Sequence, residues 1–140
     1  MHLTKQTDYA FRVLIYLASQ DETQLSTIQA VCDVFDISKS HVMKVVQKLA
    51  NHGYIDTVRG PNGGIKLGQE PNKINLRKIV ELMETTLQPF NCEVPLCRIN
   101  KSCALKHILN DAQTKYLEYI EGFTLEDLVS GSVRKDILIS

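Results

Sequence analysis

The sequence predicts a mainly α-helical protein with one small β wing, and three observations support this fold class. Two short amphipathic helices joined by a tight turn occupy residues 26–53, and a hairpin rich in glycine follows them at once. A long apolar stripe begins at Cys103 and continues at helical spacing to about Gly122. These patterns together predict a winged helix-turn-helix domain with a long C-terminal dimerisation helix.

Composition and charge narrow the class of protein. The chain has 140 residues, a net charge of zero and a hydrophobic fraction of 44%, as expected of a globular protein. It contains no apolar run of transmembrane length and no signal-peptide pattern, so we expect a cytoplasmic protein without membrane association. Residues 38–78 carry eight basic and two acidic side chains, whereas acidic residues outnumber basic ones on both sides. Such a basic middle segment is typical of a surface that binds nucleic-acid phosphates.

The first helix is predicted from Leu3 to Ser19. Asp8 stands near its start, where a negative charge is favourable, and Arg12 lies one turn further on, where the two side chains could pair. The apolar residues of this helix recur at helical spacing: Leu3, Ala10, Val13, Leu14, Leu17 and Ala18. This stripe predicts a helix that buries one face.

The second helix is predicted from Ser26 to Phe35. Ser26 and Gln29 fit a capping box, in which each side chain satisfies a free amide of the first turn. Its buried stripe is predicted to comprise Ile28, Val31, Cys32 and Phe35. Because Cys32 belongs to this stripe, we interpret it as a small core side chain and not as a ligand.

The third helix is predicted to begin after the turn at 36–37, with Ser38 as its cap, and to end at Gly53. Its inward face comprises Val42, Val45, Val46 and Leu49, and the opposite face is polar and basic. The second helix of a helix-turn-helix lies in the major groove with its N-terminal residues at the base edges. The residues of this helix predicted to contact DNA are Ser38, Lys39, Ser40, His41, Lys44 and Lys48.

The hairpin that follows has two β-prone runs, 54–58 and 65–67, on either side of the turn segment 60–64. Proline, asparagine and glycine favour turns for separate backbone reasons, and a hairpin directly after a recognition helix is predicted to be a wing. Glycines at its tip would let the backbone approach a phosphate or the minor groove closely. The wing residues predicted to contact DNA are Arg59, Asn62, Gly63 and Gly64.

A fourth helix, marked by Leu76, Ile79, Val80 and Met83, is predicted to return to the core. The helix that starts at Cys103 has an apolar stripe too long for so small a domain to cover, so we expect a second copy of the chain to cover it. A two-fold homodimer would match a palindromic operator. A short helix capped by Thr124 and Asp127 is expected to pack on the dimerisation helix. The predicted divisions are a DNA-binding domain (1–84), a loop (85–103), the dimerisation and packing helices (104–130) and a tail (131–140).

The loop carries the pattern that suggests metal chemistry. Cys92, Cys97 and Cys103 have the spacing C-x4-C-x5-C, and Pro95 excludes a helix through the segment. An odd number of thiols leaves one unpaired in any disulfide scheme. Zinc sites usually have closer C-x2-4-C pairs, whereas wider spacings on an open loop suit an iron–sulfur cluster. His107, four residues after the third cysteine, is a candidate fourth ligand on chemical grounds.

Four segments together resemble a known family: the opening 3–18, the wing VRGPNGGIKL (58–67), the three-cysteine loop and the closing TLEDLV (124–129). That family of winged-helix iron–sulfur regulators includes nitric-oxide-sensing repressors and the cluster sensor IscR. The resemblance extends from residue 1 to about 130. It implies a homodimeric repressor of nitric-oxide-detoxification genes that releases operator DNA when nitric oxide attacks its cluster.

The resemblance also implies a ligand set. Cys92, Cys97 and Cys103 would hold one cluster per subunit, 4Fe–4S favoured over 2Fe–2S, and Asp8 of the partner subunit would supply the fourth ligand. IscR-like proteins have a histidine three residues after the third cysteine. Here Lys106 occupies that position and His107 follows it, which favours the nitric-oxide-sensing group without excluding His107.

Three other functions compete with this one. An IscR-like protein would bind DNA but sense the supply of clusters. A DNA-binding protein with structural zinc would use the three loop cysteines and His107 only to brace the loop. A thiol enzyme would use Cys97 or Cys103 as its nucleophile, but no His/Asp constellation accompanies them, so we predict that the protein is not an enzyme.

Overall fold

The computed structural model of the chain describes residues 2–139 as a helical protein with one two-stranded antiparallel sheet. The elements are α1 (Lys5–Ala18), α2 (Ile28–Phe35), α3 (Lys39–Asn51), β1 (Ile55–Val58), β2 (Gly64–Leu67), a 3-10 turn (Pro71–Lys73), α4 (Leu76–Met83), α5 (Ala104–Glu121), α6 (Leu125–Leu128) and α7 (Gly131–Ile139). None of these helices is long and apolar enough to cross a membrane. The helix-turn-helix followed by a hairpin confirms the predicted winged-helix fold.

The first helix is the centre of the core. α1 packs against α2, α3, α4, α6 and β2, and its residues Ala10, Val13 and Leu14 are fully buried. Leu3 was expected on this face, but it precedes the helix and its side chain is 42% exposed. Tyr16 is buried on α1 in addition to the predicted residues. One-sided periodicity therefore identified the buried face of α1 correctly, except at Leu3, which lies before the helix begins.

The cap of α2 differs from the predicted one. Thr27, not Ser26, is the N-cap, and its hydroxyl accepts a hydrogen bond from the amide of Ala30 at 3.0 Å. Gln29 donates to Asp33 one turn later and does not reach back to the cap. Either hydroxyl could cap the helix, and Thr27 takes this role because the backbone of Ser26 is engaged elsewhere.

Ser26 is engaged by the wing. Its amide donates to the carbonyl of Ile65 at 2.9 Å, and the Ile65 amide donates back to its carbonyl at 2.7 Å. The two wing strands are antiparallel, with Val58 opposite Gly64, and the turn between them places Gly60 at a φ of +108°. The wing is thus hydrogen-bonded to the segment that precedes α2, which holds it against the helix-turn-helix.

The long helix α5 runs from Ala104 to Glu121, close to its predicted span. It contacts α4, and Leu117 is its one buried residue. The exposed fractions of Leu105, Ile108 and Tyr119 are 57%, 62% and 72%. These apolar side chains therefore form an exposed stripe on α5 that no part of the described chain covers.

The C-terminal segments pack differently from the prediction. Thr124 and Asp127 form the predicted capping box of α6. However, Leu125 is fully buried in the core against α1, and not on the exposed stripe of α5. Residues 131–139, about which the sequence was uninformative, form α7, and Ile137 is 7% exposed within the same core. Leu125 of α6 and Ile137 of α7 therefore complete the core of the winged-helix unit.

Candidate functional site

The recognition helix α3 separates a buried face from a basic one. Val42 and Leu49 are fully buried, whereas Lys39 and Lys44 are exposed and Lys48 is half-buried. Within residues 2–139 none of these three lysines has a carboxylate within ion-pairing distance. Unpaired cations on an exposed helix face are suited to binding phosphates.

The start of α3 is organised by side-chain contacts. The hydroxyls of Ser38 and Ser40 share a hydrogen bond of 2.9 Å, so Ser38 stands at the N-cap without a side-chain bond to an α3 amide. The ring of His41 lies 5.9 Å from the ring of Tyr9 on α1. The predicted DNA-reading end of α3 is therefore in contact with α1 through Tyr9.

The wing glycines have an internal role. A Cβ at Gly63 would lie 2.0 Å from the Val58 carbonyl oxygen, and a Cβ at Gly64 would lie 2.5 Å from the Ser26 carbonyl oxygen. Packing within the wing therefore requires glycine at position 63, and packing of the wing against the segment before α2 requires it at position 64. Their contact with DNA stays a prediction, as do those of Arg59 and Asn62, which are exposed beside them.

The cysteine loop is a chain of turns without helix or strand. The amide of Cys97 donates to the carbonyl of Cys92 at 3.0 Å, and the amide of Asn100 donates to the carbonyl of Cys97 at 3.0 Å. All three loop cysteines are free thiols; Cys92 and Cys103 are half-buried and Cys97 is exposed. Backbone turns thus connect Cys92 to Cys97 and Asn100 within one largely exposed loop.

The loop thiols fit an iron–sulfur cluster by the chemistry of the donors. Three free thiols on one loop are the donor type that such clusters use. Among residues 2–139, however, no three His, Cys, Asp or Glu side chains already converge on one metal position. The structure therefore places the thiols on one loop but does not bring them to a single point.

The candidate fourth ligands lie on two different helices. Arg12 donates from Nε and Nη2 to the two carboxylate oxygens of Asp8, at 2.8 and 3.2 Å, which confirms that these two residues can pair. The hydrogen bond to Asp8 raises the pKa of Arg12. His107 is exposed on the first turns of α5, close in sequence to Cys103.

A further contact, which the sequence did not reveal, connects α1 to the start of the loop. Glu84 follows α4, and its carboxylate accepts hydrogen bonds from the Thr4 amide (3.1 Å), the Thr4 hydroxyl (2.6 Å) and the Thr7 hydroxyl (3.0 Å). Burial alone would raise the pKa of Glu84, but these hydrogen bonds together lower it. Residues about 80 positions apart leave no local signal, so only the fold reveals this contact.

The fourth cysteine is set apart from the loop thiols. Cys32 is 5% exposed on α2, as predicted, and lies in the hydrophobic core. Burial raises the pKa of its thiol, with Asp33 adding to the effect. A protonated, buried thiol is a poor nucleophile and a poor metal ligand.

Solved structures share this fold at low sequence identity. CymR, the global cysteine regulator of Bacillus subtilis, superposes with a TM-score of 0.76 at 22% identity, covering 91% of this chain and 95% of that one. IscR of T. potens superposes with a TM-score of 0.74 at 18% identity, covering 91% and 85%. These likenesses support the winged-helix architecture.

Comparison of the sequence with those of characterised proteins finds relatives of higher identity. The chain is 41% identical to the HTH-type transcriptional regulator NsrR of Bacillus subtilis, over 99% of this chain and 95% of that protein. It is 42% identical to NsrR of Shouchella clausii, over 92% and 89%. These relatives are regulators and not enzymes, so the thiol-enzyme alternative is set aside. A family model described as Rrf2, an iron-dependent transcriptional regulator, matches residues 3–131. The chain therefore belongs to the Rrf2 family of transcriptional regulators.

Proposed function

We propose that this regulator is a homodimeric, cytoplasmic repressor that senses nitric oxide through an iron–sulfur cluster. One observation carries the proposal: three free thiols share one solvent-facing loop in a chain that is 41% identical to NsrR proteins. The ligands are Cys92, Cys97 and Cys103, with Asp8 of the partner subunit as the fourth. The regulated targets are palindromic operators of nitric-oxide-detoxification genes.

The DNA contacts of the proposal lie on α3 and the wing. Lys39 and Lys44 face solvent without an ion-pair partner in residues 2–139, and Arg59 is exposed on the wing. Lysine and arginine side chains supply the salt-dependent affinity for phosphates, and polar groups at the start of α3, including Ser40 and His41, read the base edges.

The dimer follows from the exposed stripe of α5. Leu105, Ile108 and Tyr119 are more than half exposed, and the same stripe on a second chain is its natural cover because two-fold interfaces are self-complementary. The two α5 helices then set the distance between the two copies of α3, which must match the spacing of the half-sites.

Asp8 is favoured over His107 as the fourth ligand. The Asp8 side chain is 46% exposed at the start of α1, where it can face a second chain. Its two bonds to Arg12 are surface interactions of small net energy, so exchanging them for a metal ligand costs little. A carboxylate is a harder, weaker ligand for iron than a thiolate, which would leave its iron accessible to a small diatomic molecule.

The chain's own contacts couple the loop to the DNA-binding surface. Glu84 joins the start of the loop to Thr4 and Thr7 of the α1 region, and Tyr9 on α1 joins His41 on α3. When bound, the cluster supplies thiolate-ligated iron that reacts with nitric oxide. A displacement of the loop would then reach α3 through α1, and a small change in half-site spacing weakens several phosphate contacts together.

The deciding experiment is operator binding by the anaerobically purified protein before and after addition of nitric oxide. We expect a brown protein with stoichiometric iron that binds operator DNA and releases it after nitric oxide. A colourless protein containing zinc would support the structural-zinc alternative. A brown protein whose DNA binding ignores nitric oxide but follows cluster occupancy would support the IscR-like alternative.

The ligand assignment is tested by substitution in the same protein. Cys92→Ser, Cys97→Ser and Cys103→Ser should each abolish the visible chromophore, whereas Cys32→Ser should keep it. Asp8→Ala should change the cluster spectrum and weaken operator binding, and His107→Ala should leave both nearly unchanged. A silent Asp8 variant together with a bleached His107 variant would overturn the assignment of Asp8.

A further inference from the structure

Three polar side chains form a network across the cysteine loop. Lys106 Nζ donates to Asn100 Oδ1 at 2.5 Å, and Asn100 Nδ2 donates to Glu93 Oε1 at 3.0 Å. The same Glu93 oxygen lies 4.0 Å from Lys106 Nζ, which closes the network with an ion pair. The side chain of Lys106 is only 28% exposed, so its ammonium is directed into the loop region and not freely solvated.

The positions of these three residues interleave with the cysteines. Glu93 directly follows Cys92, Asn100 lies between Cys97 and Cys103, and Lys106 stands in the first turn of α5. The network therefore joins each section of the loop to the helix that carries the third thiol at its N-cap. Other side-chain hydrogen bonds within residues 85–103 are local: Asn91 accepts the Glu93 and Val94 amides, and the Thr86 hydroxyl accepts the Gln88 amide.

We propose that Lys106 is a positioning residue that, through Asn100 and Glu93, holds the cysteine loop in a shape from which its thiols can receive a cluster. This inference rests on the proposed function. Neither the ion pair nor the hydrogen bonds involve a thiol, so the effect acts through the loop backbone. Side chains behind metal ligands commonly alter metal affinity by about 10- to 100-fold when they are removed.

The shape of the loop matters because its apolar side chains do not hold it. Val94, Leu96 and Ile99 are 76%, 70% and 54% exposed, so burial contributes little to its conformation in the isolated chain. A charge-assisted hydrogen bond is stronger than a neutral one, and Lys106 supplies the one such bond between the loop and α5 among the described residues.

The first test uses cluster-free protein and amide hydrogen exchange. In Lys106→Ala and in Asn100→Ala, the protection of the Cys97 amide and of the amide at position 100 against exchange should fall roughly tenfold. This factor corresponds to the free energy of one charged hydrogen bond, reduced for solvent exposure. Amides of α1 and α3 should be unchanged. Lys101→Ala is the matched control, because it removes an exposed positive charge from the same loop without touching the network.

The second test uses the anaerobic, cluster-loaded protein and measures iron release to a chelator. Lys106→Ala and Asn100→Ala should both release iron about tenfold faster, Lys106→Arg should restore the original rate, and Lys101→Ala should match the parent chain. A fast Lys106→Ala beside a normal Asn100→Ala would show that charge alone matters and would overturn the positioning role. Normal exchange and normal release in both variants would also overturn it.

Failure of the proposed function would look different. If the parent chain binds no cluster, the release experiment has no signal for any variant, whereas the exchange experiment still reports on the loop. Unchanged exchange in Lys106→Ala and Asn100→Ala would then reject the positioning role of Lys106.

Discussion

The DNA-binding half of the chain and the cysteine loop are built in opposite ways. Leu49 on α3 is fully buried, whereas Leu96 in the loop is 70% exposed. The helix-turn-helix and wing share one continuous core, to which even α6 and α7 contribute. The loop between α4 and α5 has turn hydrogen bonds, three free thiols and one polar network.

This difference indicates where the chain is rigid and where it can respond. Segments that have few buried apolar contacts, and whose backbone hydrogen bonds are exposed to solvent, are the first to unfold locally. The proposed sensing function would use the cysteine loop as the segment that opens readily and the helix-turn-helix as the rigid DNA-binding surface. The two halves meet at Glu84, which holds the start of α1 from the residue directly before the loop.

The largest effect should come from replacing a buried leucine of the DNA-binding domain, and the comparison is an exposed leucine of the cysteine loop. Leu49→Ala should lower the free energy of unfolding by about 2–5 kcal/mol, because it removes a buried side chain and leaves a cavity. Leu96→Ala should change it by about 0.5 kcal/mol or less, since the side chain is already exposed. Denaturant unfolding of cluster-free protein measures both, and equal losses would refute the contrast between the halves.

The next effect concerns DNA affinity. Lys44→Ala on α3 and Arg59→Ala on the wing should each weaken operator binding by about 1–3 kcal/mol while leaving the proposed dimer and cluster unchanged. Lys135→Ala on α7 serves as a charge-matched control. Titration of operator DNA at fixed salt measures the change. Normal binding by both variants would mean that α3 and the wing do not form the DNA-binding surface.

Cys32→Ser should have a smaller effect, of about 1 kcal/mol on unfolding, because a hydroxyl replaces a thiol in the core. Cys97→Ser, at an exposed position, should leave the stability of the cluster-free protein unchanged. In anaerobically purified protein the same variant should lack the chromophore. Parallel thermal melts and absorption spectra separate the two outcomes. A stable but colourless Cys32→Ser variant would show that the buried thiol takes part in metal binding after all.

The smallest effect should come from Glu84→Gln at the boundary of the two halves. Since folding lowers the pKa of Glu84, its contribution is fully present above the ordinary value of 4.5 and is lost as the pH falls below it. The variant should therefore be slightly less stable than the parent at pH 7, by under about 1 kcal/mol, with the difference shrinking in acid. Thermal melts from pH 7 to pH 3 measure this, with Glu22→Gln as an exposed control. A difference that grows in acid would contradict the assignment.

Much of the winged-helix unit was predictable because its signals are local. The spacing of Val42, Val45 and Leu49 predicted the buried face of α3, and the glycines of 60–64 predicted the wing turn. The C-x4-C-x5-C spacing identified the loop thiols as candidate ligands. The position of Cys32 in an apolar helical stripe identified it as a core residue and not a ligand. These patterns depend on neighbours within one or two turns, so the sequence alone reveals them.

Only the tertiary structure decided the rest. Thr27 caps α2 because the wing engages the backbone of Ser26, and Ile137 of α7 packs into a core formed by distant segments. Glu84 meets Thr4 across 80 positions, a pairing that no local period encodes. The physical reason is the same in each case: which hydrogen-bond partner or apolar surface is still available depends on residues distant in the chain, and only folding brings them together.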